Sequence, residues 1–192
     1  MRLIVPTAAL VAALALPASD AQAAARPEVD AAAQAVQSQV VAWRRDFHQF
    51  PELSNREART SQKVAEALRK MGLKPRTGIA HHGVVAIIEG GRPGPKLALR
   101  ADMDALPVTE RVDLPFASKV TTQFNGQTTG VMHACGHDAH TAILLGIAQS
   151  LVKMRKDLPG QVMLVFQPSE EGAPTGEKGG ASLMLEEGVF AD

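Results

Sequence analysis

Side chains that can bind a metal ion or move a proton are concentrated in the segment VMHACGHDAHT, residues 131–141. Cys135 is the only cysteine of the chain, and Gly136 separates it from His137. A thiolate and an imidazole at this spacing can ligate one metal ion, because glycine lets the backbone approach closely. Two alternatives stay open at this point. Cys135 is either a nucleophile with His133 or His137 as its base, or a small buried apolar residue.

Two acidic pairs follow apolar runs elsewhere in the chain. Asp102 and Asp104 come after KLALRA, and Glu170 and Glu171 come after QVMLVFQP. Neighbouring carboxylates repel, so packing them into one pocket requires a cation. Of two consecutive glutamates outside a helix, one can ligate a metal while the other takes a proton from water, which is the division needed for metal-assisted hydrolysis. For the glutamate pair alone, an acidic turn in solvent is the simpler interpretation.

The segments around these clusters predict the elements that position them. A first helix is predicted over residues 30–50, and a second helix, with Ser54 and Glu57 as a capping box, ends at Gly72. The chain continues with two neighbouring strands over 83–90 and 96–104 and an irregular loop over 113–130. A buried helix over 139–154, an interior strand over 161–168 and a last helix over 180–188 follow. This order favours an α/β layered fold with a mixed sheet, in which ligands bind beyond the carboxyl ends of strands.

Four segments identify a family when they are taken in order. The segments WRRDFHQFPELSNRE, LALRADMDALPV, MHACGHDAHTAILLG and VFQPSEEG resemble the amino-terminal half of the M20 family amidohydrolases. The resemblance runs from Val41 to about Phe190. It is strongest to hippurate hydrolases, N-acyl-amino-acid amidohydrolases and plant auxin-conjugate hydrolases. The resemblance implies a zinc-exopeptidase-like α/β/α catalytic domain.

The same resemblance implies a role for each matching residue. It makes Cys135, His137 and Glu171 ligands in a centre of two divalent metal ions, Zn²⁺ or Mn²⁺ with Ni²⁺ and Co²⁺ as further choices, and Glu170 the general base. The implied reaction is hydrolysis of the amide bond of a small N-acyl amino acid or peptide. The resemblance gives supporting or structural roles to the remaining polar residues of the motifs, which are His48, Glu52, Asp104, His133, Asp138 and His140. The role of Asp102 is left open.

Composition and the first residues restrict location and partners. The 20 basic and 20 acidic side chains give no net charge, so nothing global favours nucleic acid or an anionic membrane. Arg2, the apolar run of residues 3–16 and the small residues Ala21 and Ala23 predict a signal peptide over residues 1–23. The run is too short for a membrane span. We therefore expect a periplasmic or secreted domain over residues 24–192.

The resemblance also creates an expectation about completeness. Members of the family are roughly twice as long, with a catalytic domain interrupted by a smaller domain for closure or dimerisation. They supply two further histidine ligands at positions beyond residue 192, and the full-length relatives are expected to form homo-oligomers. We expect this chain to be a fragment that is inactive alone, with an exported metal-binding module as the alternative.

Overall fold

Residues 26–191, the part of the chain that the computed structural model describes, form four helices and six strands. The predicted signal peptide lies outside this part. The helices are α1 (Pro27–Gln49), α2 (Ala58–Lys70), α3 (His137–Met154) and α4 (Gly180–Glu186). The strands are β1 (Arg76–Ile79), β2 (Gly83–Glu89), β3 (Arg92–Asp102), β4 (Thr121–Phe124), β5 (Gln127–Gly130) and β6 (Pro159–Gln167).

Strands β1, β2, β6 and β3 form one sheet in that order. Strand β6 runs parallel to β3 and antiparallel to β2, so the predicted mixed sheet is confirmed. The prediction that β2 and β3 are neighbours was wrong, because β6 lies between them. The apolar run of β6 explains this position, since an interior strand buries side chains on both of its faces.

Helices cover both faces of this sheet, which confirms the layered α/β fold. Helices α1, α2 and α3 bury Phe47, Leu68 and Leu145 against Phe166 on one face. Each such side chain contributes roughly 1.5–3 kcal/mol when it leaves water. On the other face, Met184 of α4 packs with the apolar residues of a smaller cluster. Within residues 26–191, no helix combines the length and apolarity needed to cross a membrane.

The segment 113–130 is more regular than the predicted loop. Its second half is a hairpin in which β4 pairs with β5. Asn125 and Gly126 form the turn with φ angles of 50° and 76°. Positive φ at both central residues is the geometry that an Asn-Gly pair favours in two-residue hairpins, so the sequence carried a signal for this turn.

The start of helix α2 does not use the predicted capping box. The side chain of Glu52 accepts hydrogen bonds from the backbone amides of Arg59 (3.0 Å) and Thr60 (2.8 Å). The hydroxyl of Ser54 instead donates to Asp104 at 2.7 Å. The prediction was wrong because Ser54 and Glu57 are engaged by segments distant in sequence. Glu52 instead provides the acceptor for the free amides at the start of the helix.

Glu57 is fully buried at this helix start. Its Oε1 accepts hydrogen bonds from the amides of Asn55 and Ser169, while its Oε2 has no hydrogen-bond partner among residues 26–191. Burial raises the pKa of Glu57 from 4.5 to about 7, against the opposing effect of the backbone hydrogen bonds. The folded protein therefore holds a proton on Glu57 to a higher pH than the unfolded chain does.

This difference predicts how stability depends on pH. Between about pH 4.5 and pH 7 the folded state binds more protons at Glu57, so its contribution to stability falls as the pH rises. We expect the free energy of unfolding of the wild type to drop by about 3 kcal/mol relative to Glu57→Gln across this range. Urea unfolding of both proteins at a series of pH values measures the difference. Glu28→Gln, at an exposed position, is the control, and parallel curves for wild type and Glu57→Gln would contradict the prediction.

Candidate metal centre

The parallel pairing of β3 and β6 brings two acidic segments to one edge of the sheet. Asp102, the last residue of β3, is in register with Gln167, the last residue of β6. The amide of Met103 donates to the carbonyl of Gln167 at 3.0 Å, which holds the two strand ends together. Asp104 and Glu170 follow these ends. The chemistry-bearing residues therefore lie where ligands of α/β sheets collect.

Cys135, His137 and Glu171 meet at this edge. Each offers one ligand atom, and the three atoms all lie within 4.8 Å of one another. Helix α3 begins at His137, directly after Gly136, whose φ of 106° is a conformation that L side chains rarely adopt. No atom lies within 4 Å of a Cβ built on Gly136, so its φ angle rather than close approach explains the glycine.

Hydrogen bonds orient the imidazole of His137. Its Nδ1 lies 2.9 Å from the backbone carbonyl of Asp104. A carbonyl only accepts, so Nδ1 carries a proton and donates it. On the other side, Nε2 lies 3.7 Å from Oε2 of Glu170 and 3.9 Å from Oε1 of Glu171. A neutral ring held in this way presents the lone pair of Nε2 to the glutamates, as a metal ligand requires.

The buried carboxylate of Asp104 sets the electrostatics of the centre. Burial alone would raise its pKa, but hydrogen bonds from His137, Ser54 and the turn at Glu171 hold the pKa at about 2. Burial likewise opposes the charge on His137, and its hydrogen bonds to the side chain and carbonyl of Asp104 raise its pKa to about 9. Without a metal ion the imidazole therefore carries the balancing proton. A metal that binds Nε2 has to displace that proton.

The thiol of Cys135 is in a setting that suits a ligand better than a nucleophile. Cys135 is exposed, and its pKa is raised chiefly by a hydrogen bond with Glu171 and further by the negative charges of Glu171, Glu170 and Asp104. A cysteine nucleophile needs the opposite change, because the thiolate is the reactive form. A bound cation supplies the compensating charge.

A second grouping shares His137. The ligand atoms of Asp102, His137 and His140 also lie within 4.8 Å of one another. The rings of His137 and His140 are stacked with their centroids 5.5 Å apart. Asp102 is already engaged by the guanidinium of Arg100 at 3.1 Å. This contact supplies a positive charge for Asp102.

His48 and Asp138 lie in a separate polar network. Nδ1 of His48 is 2.8 Å from Asp138, and its Nε2 is 3.0 Å from Glu110. Asp138 also pairs with Arg44 at 2.7 Å. The carboxylate of Asp138 therefore holds His48 rather than a metal-binding imidazole, and the network joins α1 to the start of α3. Sequence reasoning missed Glu110, which no motif marks.

His133 is buried beside these groups without a hydrogen bond. It is 5% exposed, and neither ring nitrogen has a partner among the described residues. Burial lowers the pKa of His133 to about 4, so the ring is neutral at physiological pH. An enclosed ring with so low a pKa is a weak base, which disfavours His133 as the base of a Cys135 nucleophile.

Known proteins match both the sequence and the fold. Residues 98–192 match Peptidase family M20/M25/M40. Thermostable carboxypeptidase 1 of Saccharolobus solfataricus is 48% identical over 156 residues, which are 81% of this chain and 37% of that protein. The N-acyl-L-amino acid amidohydrolase of Geobacillus stearothermophilus is 43% identical over 155 residues, 81% of this chain and 39% of that protein.

A solved structure with the same fold comes from Bacillus subtilis and is described as a dinuclear metal binding peptidase from the M20 family. It matches with a TM-score of 0.71 and 42% identity, over 82% of this chain and 40% of that one. The chain thus spans less than half the length of these relatives, in sequence and in structure. The motifs, the fold and these matches agree, and the chain belongs to peptidase family M20/M25/M40.

Proposed function

We propose that this chain carries the metal-binding and proton-transfer residues of a metal-dependent amidohydrolase. The observation that supports this most directly is the meeting of Cys135, His137 and Glu171 within 4.8 Å, with Glu170 beside them. A thiolate, an imidazole and a carboxylate suit Zn²⁺, Co²⁺ or Ni²⁺, and carboxylates also admit Mn²⁺. The family relative described as dinuclear supports two divalent ions for a complete centre.

The residues present fit a cation. Oε1 of Glu171 is buried and has no hydrogen-bond partner in the described part of the chain, although it lies 3.9 Å from Nε2 of His137. An ionised oxygen that is buried without a partner is costly, and a cation shared with the imidazole and thiolate removes that cost. When bound, the metal supplies Lewis acidity, which makes water more acidic and polarises a carbonyl.

Glu170 is placed to transfer the proton in this reaction. Its side chain is 40% exposed, so it can reach a water molecule and a substrate, unlike the buried Asp104. We propose that Oε2 of Glu170 takes a proton from the attacking water and later delivers it to the leaving nitrogen. Glu171 has less of this freedom, because its side chain is 19% exposed and its Oε1 is buried. The two glutamates therefore divide ligation from proton transfer.

The names of the relatives support a proposal for the substrate class. Their names describe a carboxypeptidase, an N-acyl-L-amino acid amidohydrolase and an N-acetylcysteine deacetylase, which all cleave an amide next to an amino acid. We propose that the substrate here is a small N-acyl amino acid of the hippurate type. The balanced charge of the chain supports small molecules rather than nucleic acid as its partners.

We further propose that the protein is exported. The apolar run of residues 3–16 and the A-x-A pattern ending at Ala23 support cleavage near that residue. Expression of the full chain in a bacterial host, followed by fractionation and amino-terminal sequencing, tests this. We expect a periplasmic product that begins close to residue 24. An uncleaved product in the cytoplasm would contradict the proposal.

Metal binding by the 192-residue chain tests the ligand set. Three protein ligands are enough for one ion, so we expect about one equivalent of Co²⁺ and a thiolate-to-cobalt absorption band. Cys135→Ser removes the thiolate and is expected to abolish the band and weaken binding at least tenfold or so. Titration followed by absorption measures both.

The control for this experiment places a thiol elsewhere. Adding Ser182→Cys to the Cys135→Ser variant puts a thiol at an exposed position of α4 that belongs to neither grouping of ligand atoms. This second change should not restore the band. Substantial amidohydrolase turnover by the 192-residue chain alone, with Zn²⁺ or Mn²⁺ added, would contradict the expectation that further ligands are needed.

Glu170→Gln separates catalysis from ligation. If the open reading frame continues past codon 192, its full product is assayed on N-acyl amino acids. We expect kcat to fall by about 10² to 10⁴, because the amide cannot accept the proton, while the metal content is unchanged. Chelation should abolish wild-type activity and a divalent ion should restore it. Loss of metal from Glu170→Gln would show that the roles of Glu170 and Glu171 are exchanged.

A further inference from the structure

The turn that carries the two glutamates is held by buried carboxyl groups on both sides. The amide of Ser169 donates to Oε1 of Glu57 at 2.8 Å, and the amide of Glu171 donates to Oδ2 of Asp104 at 2.9 Å. Between these two anchored amides, Glu170 keeps an exposed side chain. The support of Asp104 is part of the centre already described, whereas Glu57 lies outside it.

Glu57 accepts hydrogen bonds from two residues whose backbone conformations are unusual. Oε1 of Glu57 also accepts from the amide of Asn55 at 3.0 Å. Asn55 has a φ of 57° and Ser169 a φ of 50°, both in the left-handed region. For a residue other than glycine this conformation carries a steric cost, which is smaller for Asn55 because asparagine tolerates it. A shared acceptor for both amides offsets this cost and ties the start of α2 to the turn after β6.

We propose that Glu57 is a positioning residue for the metal centre: its hydrogen bond to Ser169 fixes the 169–171 turn so that Glu171 meets Cys135 and His137. This proposal rests on the proposed function of that centre. Glu57 touches neither metal nor substrate, and it acts through the backbone.

The uncharged form of Glu57 suits this role. Burial raises the pKa of Glu57 to about 7, so its carboxyl group is only partly ionised near neutral pH. The centre already contains the acidic side chains of Asp104, Glu170 and Glu171. A carboxyl group that accepts backbone hydrogen bonds without a full charge anchors the turn and adds little to their mutual repulsion.

Three variants of the full 192-residue chain test the proposal. Glu57→Gln keeps an oxygen acceptor for Ser169, Glu57→Leu has a similar size but no acceptor, and Leu68→Ala removes a buried core side chain near the other end of α2. The readouts are Co²⁺ affinity, the thiolate-to-cobalt band and the amide proton chemical shift of Ser169 in the metal-free protein. Glu57→Asp, which shortens the carboxyl group by one methylene, replaces Glu57→Leu if that variant does not fold.

We expect Glu57→Leu to weaken Co²⁺ binding about tenfold, the equivalent of one lost hydrogen bond, and to shift the Ser169 amide signal upfield. Glu57→Gln should remain within about threefold of the wild type. Leu68→Ala should leave both the affinity and the signal of the folded protein unchanged. This pattern separates positioning from general stability.

Two results would overturn the positioning role alone. In the first, Glu57→Leu keeps wild-type affinity while the thiolate band is present. In the second, Leu68→Ala weakens binding as much as Glu57→Leu does, so that Glu57 is only a structural residue. A wild-type chain that binds Co²⁺ without the thiolate band would instead overturn the metal centre at Cys135, and the positioning role with it.

Discussion

The buried carboxylate of Asp104 joins three segments that are far apart in the sequence. It accepts hydrogen bonds from the hydroxyl of Ser54 and the amide of Glu171, and it contacts the imidazole of His137 at 3.3 Å. A buried carboxylate is stable only when donors surround it, so each of these segments is required by the others. Without Asp104, the start of α3, the turn at Glu171 and the segment before α2 would lose the side chain that links them.

This dependence begins with the sheet. Asp104 follows the end of β3, and the turn at Glu171 follows the end of β6, so their separation is set by the parallel pairing of the two strands. The pairing is itself fixed by burial, because β6 lies between β2 and β3 with its apolar side chains in the core. Burial of apolar surface thus pays for the close approach of several acidic groups at one edge.

The sequence predicted the elements better than their partners. The apolar run of β6 and the helical spacing of Phe47 and Leu68 depend on neighbours within a few residues, and such patterns survive in the structure. The prediction that β3 neighbours β2 was wrong because the correct partner, β6, follows β2 by about 70 residues. No local sequence pattern indicates a pairing over that distance. The Asn125 and Gly126 turn was a local signal that the prediction of an irregular loop passed over.

The candidate site shows the same limit. Cys135, His137 and Glu171 were predicted as ligands because they lie close to predicted elements and match family motifs. The supporting contacts were not predicted, since Ser54 and Glu57 have the spacing of a capping box and the structure uses them otherwise. Their true partners lie 50 and 112 residues away. A motif reports residue types, whereas a hydrogen bond between distant segments depends on the finished fold.

Burial, rather than residue type, decides what each acidic side chain of the centre does. Glu57 and Asp104 are enclosed, and every bond that they make is to a backbone amide or a neighbouring side chain of the scaffold. Glu170 is similar to Glu57 in chemistry, but its side chain is 40% exposed and can exchange a proton with solvent or substrate. In the proposed mechanism the buried acids therefore anchor the turn through its amides, and the exposed acid is left free to exchange a proton.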